Sequence, residues 1–273
     1  CRKALVELHR RKLIELPDCG EYEFRTRRLR PPELPALFPI ECCLADLGPV
    51  ELIPIRSASG KNSRIWTALC DSFHYLRSGP LCGAQLRYLV WSTRFGWLGG
   101  LSFSASAWRV RCRDEFIGWS EEARKHTLQL VVNNSRFLIA PMVKVPGLAS
   151  HVLAQCCKRL AEDWQERYSY RPVLLETFIE RGRFTGACYR AANWRYIGAT
   201  TGRGRQGNGT TTKDVYLYPL CENWKPVLCS LPDGTVSTRP QPPQRDPADW
   251  IEEEFGAAAL GDKRLVERLM QLF

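Results

Sequence analysis

No two of the twelve cysteines stand in a C-x-x-C pair, and the four histidines, His9, His74, His126 and His151, never recur at ligand spacing. A structural zinc site needs such clusters, so no metal site is expected. No apolar run approaches the ~20 residues that span a bilayer, and no signal-peptide pattern opens the chain. Scattered thiols in a chain large enough to bury a core then read as those of a cytoplasmic protein, not as a disulfide framework. Acids are missing from two stretches. Residues 87–113 carry Arg87, Arg94, Arg109, Arg111 and Arg113 with no Asp or Glu, and residues 181–205 carry six arginines with none.

What is present points to a folded chain. Of 273 residues 44% are hydrophobic and nine are tryptophan, which excludes a disordered class. The formal charge of +10 favours polyanionic partners by long-range attraction. The chain opens on Cys1 and stops inside an amphipathic pattern at Phe273, and so reads as a piece of a longer protein.

Residues 1–35 begin with Ala4, Leu5, Leu8 and Leu13 at helical spacing, followed by a strand-like Leu13–Leu16. Nine Lys and Arg against five acids over residues 1–30 suit a partial winged-helix DNA-binding segment, or simply a surface helix with a basic face. Proline-rich residues 31–59 are expected to be an extended connection. From 60 to 220 the pattern is α/β. Gln85–Ser92 and Trp97–Trp108 read as strands, Ser120 as the N-cap of a short helix, and Leu128–Val132 and Arg136–Ile139 as strands with a turn at Asn133–Asn134. Leu148, Val152, Cys156, Leu160, Trp164 and Tyr168 recur every four residues and define a long helix. Pro172–Ile179 is a buried strand, Gly186–Asn193 a short helix, and Tyr196–Thr200 and Val215–Leu220 further strands. Residues 221–248, rich in proline, read as a linker, and 249–273 as a separate helical element.

This order resembles the GNAT acyltransferase core, which implies an α/β fold with a mixed central sheet and flanking helices. Lys144-Val-Pro-Gly147-Leu-Ala149 is similar to the family's pyrophosphate-binding loop at the start of the long helix, where backbone N–H groups hold acetyl-CoA. The resemblance makes Lys144, Gly147, Ala149 and Ser150 cofactor contacts and acetyl-CoA, or another acyl-CoA, the cofactor. Tyr189, five residues before Trp194, matches the tyrosine that protonates a leaving thiolate. Lysine replaces the usual Arg or Gln, and Pro146 removes one N–H. Glu176 and His151 are the candidate bases, with an ion pair between Glu176 and Arg136 or Arg190 as the structural alternative for the former and a solvated helix position for the latter.

A second resemblance spans roughly residues 60–220. HYL at 74–76, PLCGAQLRYLVWS, WLGGLSFSASAW, IGWSEEARK, LVVNNSRFLIAP, YRPVLLETF and CYRAANW, in that order, resemble the bacterial family that includes DruA, a component of the Druantia anti-phage system. Residues 250–269, with Trp250, Glu252–Glu254, Phe255 and ALGDKR at 259–264, resemble the N-terminal DNA-binding region of cut-and-paste insertion-sequence transposases. There Lys263, Arg264 and Arg268 would meet phosphates. The alternative is an amphipathic helix packed on the main domain.

Three readings follow. The first is a DNA-associated protein of mobile elements and anti-phage defence, contacting nucleic acid through Arg136, Arg190, Arg195, Arg203, Arg205, Lys263, Arg264 and Arg268, with defence or transposase partners and no membrane. The second is an acyl-CoA-dependent N-acyltransferase. The third is a non-catalytic scaffold of a defence or transposition complex.

Overall fold

A computed structural model describes residues 7–15, 33–81, 83–201 and 211–238. Among these residues seven strands form the central sheet: β2 (Val50–Pro54), β3 (Gln85–Ser92), β4 (Gly96–Ala105), β5 (Val131–Ile139), β7 (Leu174–Glu180), β8 (Arg195–Ala199) and β9 (Lys213–Pro219). Their order across the sheet is β2-β3-β4-β5-β7-β9-β8, antiparallel throughout except for β5 beside β7. A parallel pair needs a crossover. It is supplied by α4 (Leu148–Tyr168), preceded by the two-residue β6 (Val143–Lys144), which pairs with β1 (Ile40–Glu41). The expected mixed sheet with flanking helices is the architecture found.

Alternation along the strands sorts side chains to two faces. Tyr88 and Val90 of β3 point into the cluster that receives Leu148, Val152, Leu153, Cys156, Leu160 and Trp164 of α4. Leu89 points the other way, to Ile65, Trp66, Leu69 and Cys70 of α1 (Lys61–Phe73). Each fully buried side chain of this size contributes about 1.5–3 kcal/mol. Trp66 packs against β4 where Gly100 has no side chain to block it, and its Nε1 donates to the Leu101 carbonyl at 3.0 Å. Hydrogen bonds from Tyr88 Oη and Arg159 Nε to Asp163, at 2.8 and 2.7 Å, tie α4 to the sheet and brace its own face.

A third cluster forms over β5, β7 and β9, on the face opposite α4. It packs α2 (Arg111–Ile117), α3 (Glu121–Thr127) and α6 (Trp224–Leu228) on Val131, Leu174 and Leu217, with α5 (Ala187–Ala191) lying elsewhere, against α4. Ser120 caps α3 as expected, accepting from Ala123 N–H at 3.0 Å.

Four expectations are corrected. The connection placed over 31–59 contains β2, which pairs with β3 as an edge strand of the main sheet. Asn133, Asn134 and Arg136 lie within the single strand β5, not in a turn, because residues on both sides pair with β4 across one bulge. Within the stretch read as a linker, residues 224–238 fold back: Pro226 sits in the first turn of α6, where no N–H is needed, and Leu228 and Cys229 are buried. Residues 7–10 are helical, but residues 13 and 14 form a bend and residue 15 is irregular, so no strand forms there, and Leu13 is exposed. Residues 1–6 and 16–32 of the winged-helix segment and all of 249–273 lie outside the described residues.

Candidate functional site

Strands β5 and β7 stay together for three residues only, Val131–Asn133 against Leu174–Glu176, and then diverge. Beyond that point β5 pairs on its far side with β4, and β7 on its far side with β9. Their facing edges enclose a cleft of about 410 Å³. Asn134–Ile139 form one wall and Thr177–Ile179 the other. The C-terminal end of α1, Phe73 through Leu76, lies along the same cleft, which reaches Pro141 and Ala149 at the start of α4.

A bulge in β5 sets which side chains meet there. Ser102 pairs with Arg136 and Phe103 with Asn134, so Ser135 is the extra residue. Asn134 and Phe137 therefore both turn toward Tyr189, while Arg136 reaches the loop after α1. Asn134 braces the bulge, its Nδ2 donating to the carbonyls of Ser102 and Arg136 at 3.0 and 3.1 Å. The apex of the cleft is closed by a small network. Tyr189 Oη donates to Asn134 Oδ1 at 2.6 Å, and Thr177 Oγ1 donates to the Asn134 carbonyl at 3.2 Å. Tyr189 is held over this spot by α5, whose N-cap Gly186 adopts φ 68°. Burial pushes the Tyr189 phenol well above its ordinary range, so it keeps its proton.

The remaining predicted residues separate. Glu176 is fully buried and lies 2.9 Å from Arg113 Nη1, also accepting from Ala107 N–H at 3.1 Å. Its ion-pair partner is Arg113, in place of the Arg136 or Arg190 expected. Arg113 also binds Asp114 at 2.8 Å, making a buried triad that anchors α2 to β7. Burial raises the Glu176 carboxyl, against the pull of Arg113. His151, in the first turn of α4, is within 2.9 Å of Gln155 Nε2. Of the cofactor candidates, Ala149 lines the cleft, and Gly147, at φ 79°, forms the N-cap of α4. The Gly147 carbonyl accepts from Ser150 Oγ at 3.0 Å. Lys144 is exposed and opens onto a separate, shallower groove beside Glu41 and Pro146.

The acid-free runs are not acid-free in space. Arg109 pairs with Glu121 at 3.1 Å, Arg111 with Glu115 at 2.9 Å, Arg181 with Asp214 at 2.6 Å and Arg183 with Glu180 at 3.3 Å. Arg190 donates to the Thr185 carbonyl at 2.7 Å and to Tyr216 Oη at 3.0 Å. Arg195 is exposed, its guanidinium 4.9 Å from the centre of the Phe116 ring. Arg136 is half-buried in the cleft wall, donating to the carbonyls of Arg77 and Ser135, both at 2.7 Å. Arg203, Arg205, Lys263, Arg264 and Arg268 lie outside the described residues. Sequence reasoning left out His74, Tyr75 and Phe184 as cleft residues. The bulky pair Ile65–Trp66 and then Leu69–Cys70, one turn apart, was the available signal for the helix that delivers the first two.

Among the described residues no group of three or more His, Cys, Asp or Glu could hold a metal ion, and no helix is long and apolar enough to cross a membrane. No curated protein matches the chain. Among solved structures it is similar to spermidine N-acetyltransferase from Vibrio cholerae in complex with CoA and spermine, at 9% identity and a TM-score of 0.34, over 50% of this chain and 67% of that one. A chimera of the Vibrio cholerae enzyme SpeG and hSSAT gives 9% identity and a TM-score of 0.41, over 63% and 95%. Residues 45–210 match the family model described as Druantia protein DruA, which places the chain in the DruA family of the Druantia anti-phage defence system.

Proposed function

We propose that this DruA-family chain binds an acyl-CoA-type thioester in the cleft between β5 and β7. The observation that carries the reading is the divergence of the two parallel strands after Asn133 and Glu176, which leaves two facing strand edges over an apolar cleft. An extended ligand bearing amide groups can complete such an edge with main-chain hydrogen bonds. At the outer end the first turn of α4 offers backbone N–H groups to a pyrophosphate. Gly147, Ala149 and Ser150 are the contacts assigned to it, with Lys144 too far out on its own groove to be central.

The proton-transfer part of the acyltransferase reading is weaker. Tyr189 already donates its proton to Asn134, Glu176 is neutralised by Arg113, and His151 does not line the cleft. A general acid or base must reach the reacting atom. The reading is therefore ligand binding, with Tyr189 shaping the apex. Isothermal titration with acetyl-CoA tests it. Saturable heat and a rise in Tm are expected, and neither at millimolar acetyl-CoA would overturn it. In Tyr189→Phe, binding is expected within about threefold of wild type; loss of acyl transfer without loss of binding would restore the acid role.

A DNA-contacting role is favoured at one place. Arg195, exposed on edge strand β8, has no carboxylate partner among the described residues. It sits over Phe116, which stacks on Trp224 at 6.1 Å with Lys225 Nζ 5.9 Å from the Phe116 ring. Cations beside aromatic faces suit single-stranded nucleic acid. Arg203 and Arg205 follow β8 in sequence. Arg195→Ala is expected to lower affinity and reduce the salt slope by about one unit; an unchanged slope would remove Arg195 from the interface.

A further inference from the structure

The cleft has a second end, distinct from the one at α4. From Ile139 to Arg136 the strand runs back three residues, about 10 Å. There the cleft is walled by Arg136, His74 and Tyr75.

Among the described residues no carboxylate pairs with the charge of Arg136. Its Nε donates to the Arg77 carbonyl at 2.7 Å, Nη1 to the Ser135 carbonyl at 2.7 Å and Nη2 to the Leu76 carbonyl at 3.5 Å. A guanidinium has five N–H donors, and the remaining two find no protein acceptor among the described residues. Half-burial penalises the charge and lowers its pKa, yet the side chain is fixed in place by three carbonyls. Its neighbours are donors too. His74 Nδ1 accepts from Leu76 N–H at 3.1 Å, which leaves the imidazole proton on Nε2. Tyr75 keeps its phenolic proton, burial having raised its pKa. The carboxylate whose charge reaches Tyr75, Glu180, is engaged by Arg183. No Asp or Glu is among the described residues lining the cleft.

A fixed, partly desolvated guanidinium flanked by neutral donors, in a cleft without acids, is complementary to one ligand chemistry. We propose that the Arg136 end of the cleft is an oxyanion subsite that takes a carboxylate or phosphate group. A forked guanidinium matches either group with two parallel hydrogen bonds. The same arrangement disfavours cationic amines. The oxyanion has two possible sources: the far end of an acyl thioester, in which case the proposal rests on the acyl-CoA reading, or a separate small acid bound beside it.

Calorimetry on the full chain separates these. If the acyl group carries the anion, succinyl-CoA binds about tenfold or more tighter than acetyl-CoA, and Arg136→Gln abolishes the preference while still binding acetyl-CoA. If a separate acid carries it, succinate or inorganic phosphate binds and uncharged succinamide does not, and Arg136→Gln loses that binding. Arg136→Lys, which keeps the charge without the fork, should fold and retain only part of the effect. Should Arg136→Gln fail to fold, the wild-type comparison of succinate with succinamide still decides. Binding of succinate or phosphate with no binding of either thioester leaves Arg136 in its role and removes the acyl-CoA reading. Equal affinity for acid and amide, no binding of any anion, or a preference that survives Arg136→Gln overturns the proposal.

Discussion

Glu176→Gln tests whether the carboxylate inside β7 is structural. The native group supplies two acceptor oxygens to two donors, Arg113 Nη1 at 2.9 Å and Ala107 N–H at 3.1 Å. Glutamine keeps the shape but has one oxygen, so whichever way the amide is placed an N–H faces a donor. Arg113 then loses its charged partner across the β7–α2 contact and keeps Asp114, its sequence neighbour. Removing one member of a buried pair costs about 3–5 kcal/mol, and the surviving Asp114 contact argues for the lower end. For a domain of this size about 3 kcal/mol lowers Tm by roughly 6–12 °C. Thermal unfolding by circular dichroism, with a urea midpoint at unchanged m-value, measures it. A shift under about 2 °C would refute the reasoning, because a fully buried charge cannot lose its counter-charge so cheaply. Acetyl-CoA affinity, corrected for unfolded protein, should be unchanged.

The cleft also predicts a pH dependence. Burial first, and then the Arg136 charge, lower the His74 pKa from 6.5 to about 4. A base whose pKa falls on folding binds fewer protons in the folded state. Stability is therefore full above pH 6.5 and declines as pH drops toward 4. In His74→Asn that decline should flatten in urea titrations at stepped pH, and a slope unchanged by the substitution would show that His74 is not the group responsible. At Gly99 a side chain would overlap the Leu138 carbonyl across the β4–β5 pairing. Gly99→Ala should cost about 3 kcal/mol or more by forcing those strands apart, and a urea midpoint within experimental error of wild type would contradict the close approach.

Much of the scaffold was legible before any coordinates. Helix α4 announced itself by apolar residues every four positions, over the range observed, because a surface helix must bury one stripe. Strand β3 was read to its ends, and Ser120 acts as a cap, because both signals are local. Strand β2 was missed because the prolines of 31–59, with Pro49 just before the strand and Pro54 at its end, suggest a loop. Proline is tolerated at the ends of an edge strand, which is where β2 lies. The Asn133–Asn134 turn was a reasonable inference from composition, but β5 instead absorbs the irregularity as a bulge, with Asn134 spending its amide on holding it.

The charge pattern marks the limit most clearly. Runs of arginine without acids suggested a phosphate-facing surface, yet Arg109, Arg111, Arg113, Arg181 and Arg183 all find carboxylates from helices or strands outside their runs or just beyond them. Sequence by itself determined the periodicities, and through them the order of strands and helices and the place of the long crossover. Tertiary structure alone decided which charges are answered and which are not. Pairing depends on distances across the sheet, which no spacing along the chain encodes, and among the described residues it leaves Arg136 in the cleft wall and Arg195 on the sheet edge, like Arg87, Arg94 and Arg190, without a carboxylate partner.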